Sequence, residues 1–195
     1  MWEFNRSYQG WAYVPDFFTP EECDQIIALK ERFKTISGTV GSDNKVVKEI
    51  RDSDITWLFP ADETKWIYEA LEPLILKTNY DHFHYDITHL QVLQLSEYGL
   101  TEEGLPGFYN GHVDTLFSDR SSALSNRVLS LSVQLTPEEQ YVGGDLILYP
   151  YDLQRQVIAP RNQGTVVVFR SHIIHEVTPI KEGTRHSLVA WIVGK

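Results

Sequence analysis

The sequence predicts a mainly β fold with flanking helices, and three observations carry that reading. Leu129, Leu131, Val133 and Leu135 alternate with Ser130, Ser132 and Gln134 at a clean period of two. Val166–Phe169 is a continuous apolar run, as expected of a strand buried on both faces. Short apolar or alternating runs recur at His89–Tyr98, Arg127–Leu135, Asp145–Tyr149, Gly164–Arg170 and Arg185–Val193, separated by turn signals such as Gly143-Gly144-Asp145. Many short strands at this spacing build a sandwich or a barrel.

The helices lie in the first part of the chain. Trp11–Phe18 reads as a short strand and turn. Thr19 is then a good N-cap, Pro20 suits the first helical position, and Glu22 completes a capping box. Ile26, Ile27, Leu29 and Phe33 form an apolar face, and the spacing predicts a helix to about Lys34, ending before Ser37-Gly38. A second helix is predicted over Asp62–Lys77, with Trp66, Ile67, Ala70, Leu71, Leu74 and Ile75 facing inward and Pro73 imposing a kink or an early end. No repeat, low-complexity run or linker interrupts the chain. The expectation is one domain over residues 1–195, with helical support over about 16–80 packed outside a β core over about 82–194.

Composition narrows the partners. The chain has 195 residues, a formal net charge of −10, 42% hydrophobic and 23% charged residues, a soluble globular balance. The acidity argues against nucleic acid, which calls for clustered Lys and Arg. Cys23 is the single cysteine, which excludes an intrachain disulfide and a multi-cysteine zinc site. It suits a reducing compartment, so a cytoplasmic location is expected. Met1–Gly10 lacks the basic start and apolar run of a signal peptide, and no uncharged apolar stretch nears the roughly 18 residues of a membrane span. Oligomeric state leaves no mark in the sequence.

The residues suited to chemistry are His112 and Asp114 in Gly111-His-Val-Asp-Thr115, and His175 in Ser171-His-Ile-Ile-His175. On a strand, positions i and i+2 point the same way, so His112 and Asp114 can offer one nitrogen and one carboxylate to a single metal. A histidine from a distant strand completes the face. Two histidines and a carboxylate with open positions opposite is the arrangement of non-haem Fe(II) oxygenases. A His-x-Asp pair alone is weak evidence. His82, His84, His89, His172 and His186 read as surface or structural histidines, and the rival pair His82-Phe-His84 lacks the glycines and downstream carboxylate of a cupin-type site. Arg185 and Ser187, beginning ten residues after His175, share another strand face. A guanidinium binds a carboxylate through two hydrogen bonds, and a hydroxyl can add a third.

Taken together, these segments resemble the Fe(II)- and 2-oxoglutarate-dependent dioxygenases of the prolyl 4-hydroxylase-like family. The likeness runs from Leu90 to Gly194, and more weakly back to Asp16–Ile27. Leu-Gln-Leu-Ser-Glu-Tyr98 and Phe-Tyr109-Asn-Gly-His112-Val-Asp114 are similar to its Tyr…Tyr-x-x-His-x-Asp segment. Gln134-Leu-Thr, Tyr141-Val-Gly-Gly-Asp-Leu146, Gly164–Phe169 and His175–Arg185 follow in the family's order. The resemblance implies a double-stranded β-helix, a cupin-like jelly-roll with iron near one open end. It implies His112, Asp114 and His175 as iron ligands, and Arg185 with Tyr98 on the distal carboxylate of 2-oxoglutarate; Ser187 joins them from strand geometry. Collagen-type members carry Lys at the anchor, so Arg185 places this chain nearer bacterial, viral and oxygen-sensor-like members. A tyrosine donor that others place on the strand after the His-x-Asp loop is replaced here by Gln134 or a neighbour.

The implied reaction hydroxylates a C–H bond while 2-oxoglutarate and O₂ become succinate and CO₂, with ascorbate a candidate accessory reductant. The leading expectation for the substrate is proline within a peptide or protein. A free amino acid or small metabolite is the second reading, and a non-catalytic jelly-roll binding module the third, which the ligand set and Arg185 oppose. Substrate-facing residues are expected in Val40–Trp57 and Leu100–Tyr109, the latter as a mobile lid. Tyr109, Arg51 and Trp57 are the individual candidates, Tyr109 first because it neighbours His112. Their plain alternative is a surface ion pair and ordinary core aromatics.

Overall fold

In the computed structural model, which describes residues 10–39, 46–115 and 126–195, Thr19 caps the first helix as its sequence position requires. Its hydroxyl accepts from the Glu22 N–H at 3.2 Å, and the Glu22 carboxylate accepts from the Thr19 N–H at 2.8 Å. Helix α1 (Pro20–Ala28) tightens into a 3₁₀ turn at Leu29–Glu31. It stops short of the expected Lys34 because Thr35–Ser37 is drawn into a strand. Helix α2 (Lys65–Thr78) starts later than Asp62 and runs through Pro73 without ending there. Pro73 sits on the exposed side, where water can take the carbonyl that the missing N–H leaves free. Residues 1–9, and residues 40–45 of the expected Val40–Trp57 loop, lie outside the described residues.

The strands are β1 (Trp11–Val14), β2 (Thr35–Ser37), β3 (Arg51–Asp52), β4 (Asp54–Leu58), β5 (Ile87–Leu90), β6 (Leu93–Tyr98), β7 (Phe108–His112), β8 (Arg127–Gln134), β9 (Tyr141–Gly143), β10 (Leu146–Tyr149), β11 (Val157–Ile158), β12 (Val166–Arg170), β13 (Ile174–Val177), β14 (Ile180–Gly183) and β15 (Arg185–Gly194). The larger sheet has the order β1-β12-β8-β15-β6-β4-β2, with β5 also against β15. The smaller has the order β11-β10-β13-β7-β3, and β9 pairs with β14 as a ribbon. This is the expected jelly-roll with helices on its outside. The run expected as one strand over His89–Tyr98 is two, β5 and β6, separated at Gln91-Val92, where the Gln91 N–H turns to the Trp191 carbonyl at 2.9 Å.

The period-two pattern of β8 resolves into two buried faces. Leu129, Leu131 and Val133 join Ile26, Ile67 and Leu71 of the helices in the main core. Ser130, Ser132 and Gln134 on the opposite face are also buried. A half-polar strand usually shows its polar side to water; here that side faces inward, beside a cavity between the sheets. Strand β12 divides likewise. Val166 and Val168 pack under the helices, while Val167 and Phe169 pack with Leu146 and Leu148 of the smaller sheet.

Glu97 of β6 ties the helical layer to the sheet. Its carboxylate accepts from His186 Nε2 of β15 at 2.9 Å and from Lys30 Nζ at 2.7 Å. The His186 hydrogen bond is the main reason its carboxyl is held at about 2 instead of the ordinary 4.5, with partial burial opposing. A depressed carboxyl stabilises the fold above its unfolded value and loses that contribution as pH falls. In thermal melts, the wild type is expected to lose stability more steeply than Glu97→Gln between about pH 4.5 and 2, the two curves converging at the acid end. Parallel curves would exclude a role for this carboxylate.

Candidate metal centre and cosubstrate cavity

Strand register brings the two histidines together: His175 of β13 lies opposite His112 of β7, with ring centroids 4.1 Å apart. Each ring is held the same way. Nδ1 of His112 is 2.9 Å from the Asn110 carbonyl, and Nδ1 of His175 is 3.0 Å from the Ile173 carbonyl. A carbonyl only accepts, so both Nδ1 atoms carry the proton, which makes Nε2 the nitrogen that each neutral ring would offer to a metal. Asp114 lies just past the end of β7, a correction to the expectation that both residues of the pair sit on the strand. It still turns to the same side, because its N–H bonds the Ser171 carbonyl at 2.9 Å. Its Oδ1 is 3.7 Å from His112 Nε2 and its Oδ2 is 3.4 Å from His175 Nε2. The three donor atoms lie within 4.8 Å of one another.

The electrostatics suit a cation. Burial holds the His112 imidazole well below its ordinary range, and His175 pushes it the same way, so it stays neutral and able to ligate. Burial would raise the Asp114 carboxyl, but His175, His112 and a hydrogen bond from Ser130 outweigh it and keep the carboxylate charged. Two imidazole nitrogens and one carboxylate, with the opposite side open to a cavity, fit Fe(II).

That cavity, of about 150 Å³, is walled by both sheets, and Arg185 lines it. Arg185 is 2% exposed, yet no carboxylate among the described residues pairs with it. Its Nη2 donates to Gln134 Oε1 at 2.9 Å and its Nη1 to Ser187 Oγ at 3.3 Å, while Nε has no partner. Tyr98 lies opposite it in register, its ring 5.7 Å from the guanidinium carbon. A buried cation held by neutral acceptors, with a donor left over, fits the distal carboxylate of 2-oxoglutarate. Gly144 makes room for it: at φ +64°, a Cβ there would lie 3.1 Å from Arg185 Cδ and 2.5 Å from Ile180 Cδ1.

The sequence model of the 2OG-Fe(II) oxygenase superfamily matches residues 93–193, just over half of the chain. The chain is a 2OG-Fe(II) oxygenase. Its sequence is similar to a PKHD-type hydroxylase of Colwellia psychrerythraea, 24% identical over 183 residues, which cover 92% of this chain and 76% of the relative. Its fold is similar to that of a prolyl hydroxylase from Trichoplax adhaerens solved with a hypoxia-inducible factor oxygen degradation domain peptide (TM-score 0.76, 21% identity, 95% of this chain and 84% of the other). It is also similar to that of a Pseudomonas putida prolyl-4-hydroxylase (TM-score 0.71, 22% identity, 95% and 93%). Family membership removes the reading as a non-catalytic jelly-roll.

The oxygenase cavity gathers all nine site residues expected from sequence: His112, Asp114, His175, Arg185, Tyr98, Ser187, Tyr109, Arg51 and Trp57. Gln134, expected in place of a tyrosine donor, instead accepts from Arg185 and orients it. His82 and His84 fall in and after the turn closing α2, and His186 bonds Glu97. Arg51 is not a surface ion-pair residue: it is 5% exposed. Sequence reasoning missed Arg127, Trp191 and Gln94 on the cavity wall, and Ser130 beneath Asp114. Two could have been found. Arg185, Ser187, Val189 and Trp191 are one face of β15, so extending the Arg-x-Ser parity by two steps reaches Trp191. Gln94 and Tyr98 share a face of β6 in the same way. Arg127, stacked over Trp191 at 3.9 Å and shifted to about 10 chiefly by burial, carried no signal beyond starting a strand.

Ser130 Oγ donates to Asp114 Oδ2 at 2.6 Å and lies 3.0 Å from Ser171 Oγ. Losing such a support behind a ligand typically costs about 10–100-fold in metal affinity. Ser130→Ala is expected to weaken Mn(II) binding, read by electron paramagnetic resonance titration, by about that factor, with little change in melting temperature. An unchanged affinity would show that Asp114 needs no such support.

Proposed function

We infer that this oxygenase hydroxylates proline within a peptide or protein segment. His112 Nε2, Asp114 and His175 Nε2 hold Fe(II), and Arg185, assisted by Tyr98 and Ser187, holds the distal carboxylate of 2-oxoglutarate. Tyr109, Arg51 and Trp57 face the substrate. The observation that carries the site assignment is the presence, in one cavity, of the His-Asp-His cluster and a buried guanidinium that no carboxylate among the described residues pairs with. The proline assignment is supported by likeness to prolyl hydroxylases along nearly the whole chain and by the family segments around Tyr98–Asp114 and Gly164–Trp191.

When bound, the iron with O₂ and 2-oxoglutarate supplies the oxidising power that amino-acid side chains lack, at the expense of 2-oxoglutarate, which leaves as succinate and CO₂. The protein's part is orientation. The Nδ1–H bonds fix both imidazoles, Ser130 fixes the carboxylate, and Gln134 and Ser187 aim Arg185 along the cavity. Leu146, Phe169 and Val177 on the wall keep the chamber apolar between its polar ends. An extended proline segment is stiff before it binds, so an open cavity mouth can take it with little loss of entropy.

Two measurements test the reading. Arg185→Ala is expected to weaken 2-oxoglutarate binding by about 2–5 kcal/mol while leaving Mn(II) binding near wild type, with Arg185→Lys milder because charge stays and the fork is lost. Equal cosubstrate affinity in wild type and Arg185→Ala would remove the anchor. Mass spectrometry after incubation with Fe(II), 2-oxoglutarate and proline-containing peptides is expected to show one added oxygen on proline. Oxidation of a free amino acid and of no peptide would establish the small-molecule reading instead.

A further inference from the structure

The cavity holds more positive charge than the metal centre and the cosubstrate need. Among the described residues its wall carries one carboxylate, Asp114, against three guanidiniums, Arg51, Arg127 and Arg185. A divalent metal and a dianionic cosubstrate cancel each other, and Asp114 offsets one guanidinium, so the loaded chamber stays cationic by two charges. This sign opposes that of the whole chain, at −10, and is therefore a property of the site.

Among the described residues, no carboxylate forms an ion pair with Arg51 or Arg127, and the nearest charge to Arg127 is that of Asp114, already counted above. Arg51 directs Nε to Ser53 Oγ at 2.7 Å and Nη1 to the Thr39 carbonyl at 3.3 Å. Its guanidinium lies 4.7 Å from the centre of the Tyr109 ring, and that ring stacks on His112 at 3.6 Å, which sets the cation two layers from a metal ligand. Arg127 gives Nε to Gln91 Oε1 at 2.8 Å and lies over Trp191, whose indole N–H is buried without a partner. No described residue takes a hydrogen bond from its terminal nitrogens. Neutral acceptors and ring faces orient a guanidinium without cancelling its charge. Arg51 is buried and Arg127 partly buried, and a desolvated cation without a counter-ion is costly, so the pair on one chamber wall calls for an anion that the substrate can bring.

The geometry points to a substrate that carries a carboxylate beside the C–H bond to be oxidised, bound by Arg51 and Arg127. In a peptide this is an Asp or Glu side chain flanking the target residue; in a free amino acid it is the α-carboxylate. The inference rests on the reading of the cavity as a hydroxylase site, but not on proline being the target.

Two pairs of compounds test it: a proline peptide with Asp next to the proline against the same peptide with Asn, and L-proline against L-prolinamide. Each is titrated into the anaerobic enzyme loaded with Fe(II) and 2-oxoglutarate, following the intrinsic tryptophan fluorescence, to which Trp57 and Trp191 on the cavity wall contribute, and each is then scored for oxygen gain in air. The acid of at least one pair is expected to bind at least about tenfold more tightly than its neutral partner, and the responding pair identifies the source of the carboxylate. Arg51→Gln and Arg127→Gln should each shrink that difference. Arg51→Lys, which keeps the charge and loses the fork, should give an intermediate value and serves where Arg51→Gln does not fold. Acid-selective binding without proline oxidation would overturn the prolyl reading and leave this one standing. Equal binding of acid and neutral partner, no response to any of the four, or selectivity that survives in Arg51→Gln/Arg127→Gln would overturn this inference.

Discussion

Each central strand of the larger sheet has two buried faces to fill, and the rest of the molecule follows from that constraint. One face meets the helices and is filled with Leu, Val and Ile. The other meets the smaller sheet; β12 fills it with Val167 and Phe169, but β8, β6 and β15 leave it polar, because an apolar core along the whole face would leave no chamber. The chain instead lays Ser130, Ser132 and Gln134 on β8, Gln94, Ser96 and Tyr98 on β6, and Arg185 and Ser187 on β15 along that inner face. Polar groups removed from water need partners, and they find them in one another: Arg185 with Gln134 and Ser187, Gln94 with Ser96, Ser130 with Asp114. The polar lining thus holds itself rigid while keeping a donor edge for ligands.

Positioning of the His-Asp-His cluster needs both sheets. Register between β7 and β13 places His112 beside His175, and the Ser130 hydroxyl from the larger sheet fixes Asp114 between them. A clasp sets the anchor at the other end. Arg161 donates to Asp145, to the Gly143 carbonyl at 3.0 Å and to the Tyr141 carbonyl at 3.0 Å, pinning the Gly143-Gly144 turn against Arg185. Movement of either support would shift Asp114 or Arg185, which is how residues that line no part of the cavity can come to matter for it.

The cavity also contrasts with its protein. An acidic chain encloses a chamber rich in guanidinium, so the net charge that speaks against nucleic-acid partners says nothing of the charge inside the site. Bulk charge is a sum over surface groups, whereas the potential in a narrow cavity is set by the few groups on its wall.

What the sequence determined by itself was whatever depends on local spacing. The alternation in β8, the double-sided apolar run of β12 and the Thr19 capping box name their elements because side-chain direction repeats every two residues in a strand and caps act over three or four. The pairs His112 with Asp114 and Arg185 with Ser187 were readable from i and i+2 parity, although Asp114 proves to lie just past its strand, whereas His175 and the roles of the set came from motifs in an order that resembles the family's. Tertiary structure decided the rest. It made the serine face of β8 a chamber wall, ended the first helical run short of Lys34 with Thr35–Ser37 in a strand, and carried α2 through Pro73. It brought Arg127 against Trp191 and Arg51 over Tyr109, pairs separated by 64 and 58 positions in the chain. Such contacts depend on which strands become neighbours and in what register, and no short stretch of sequence contains that information.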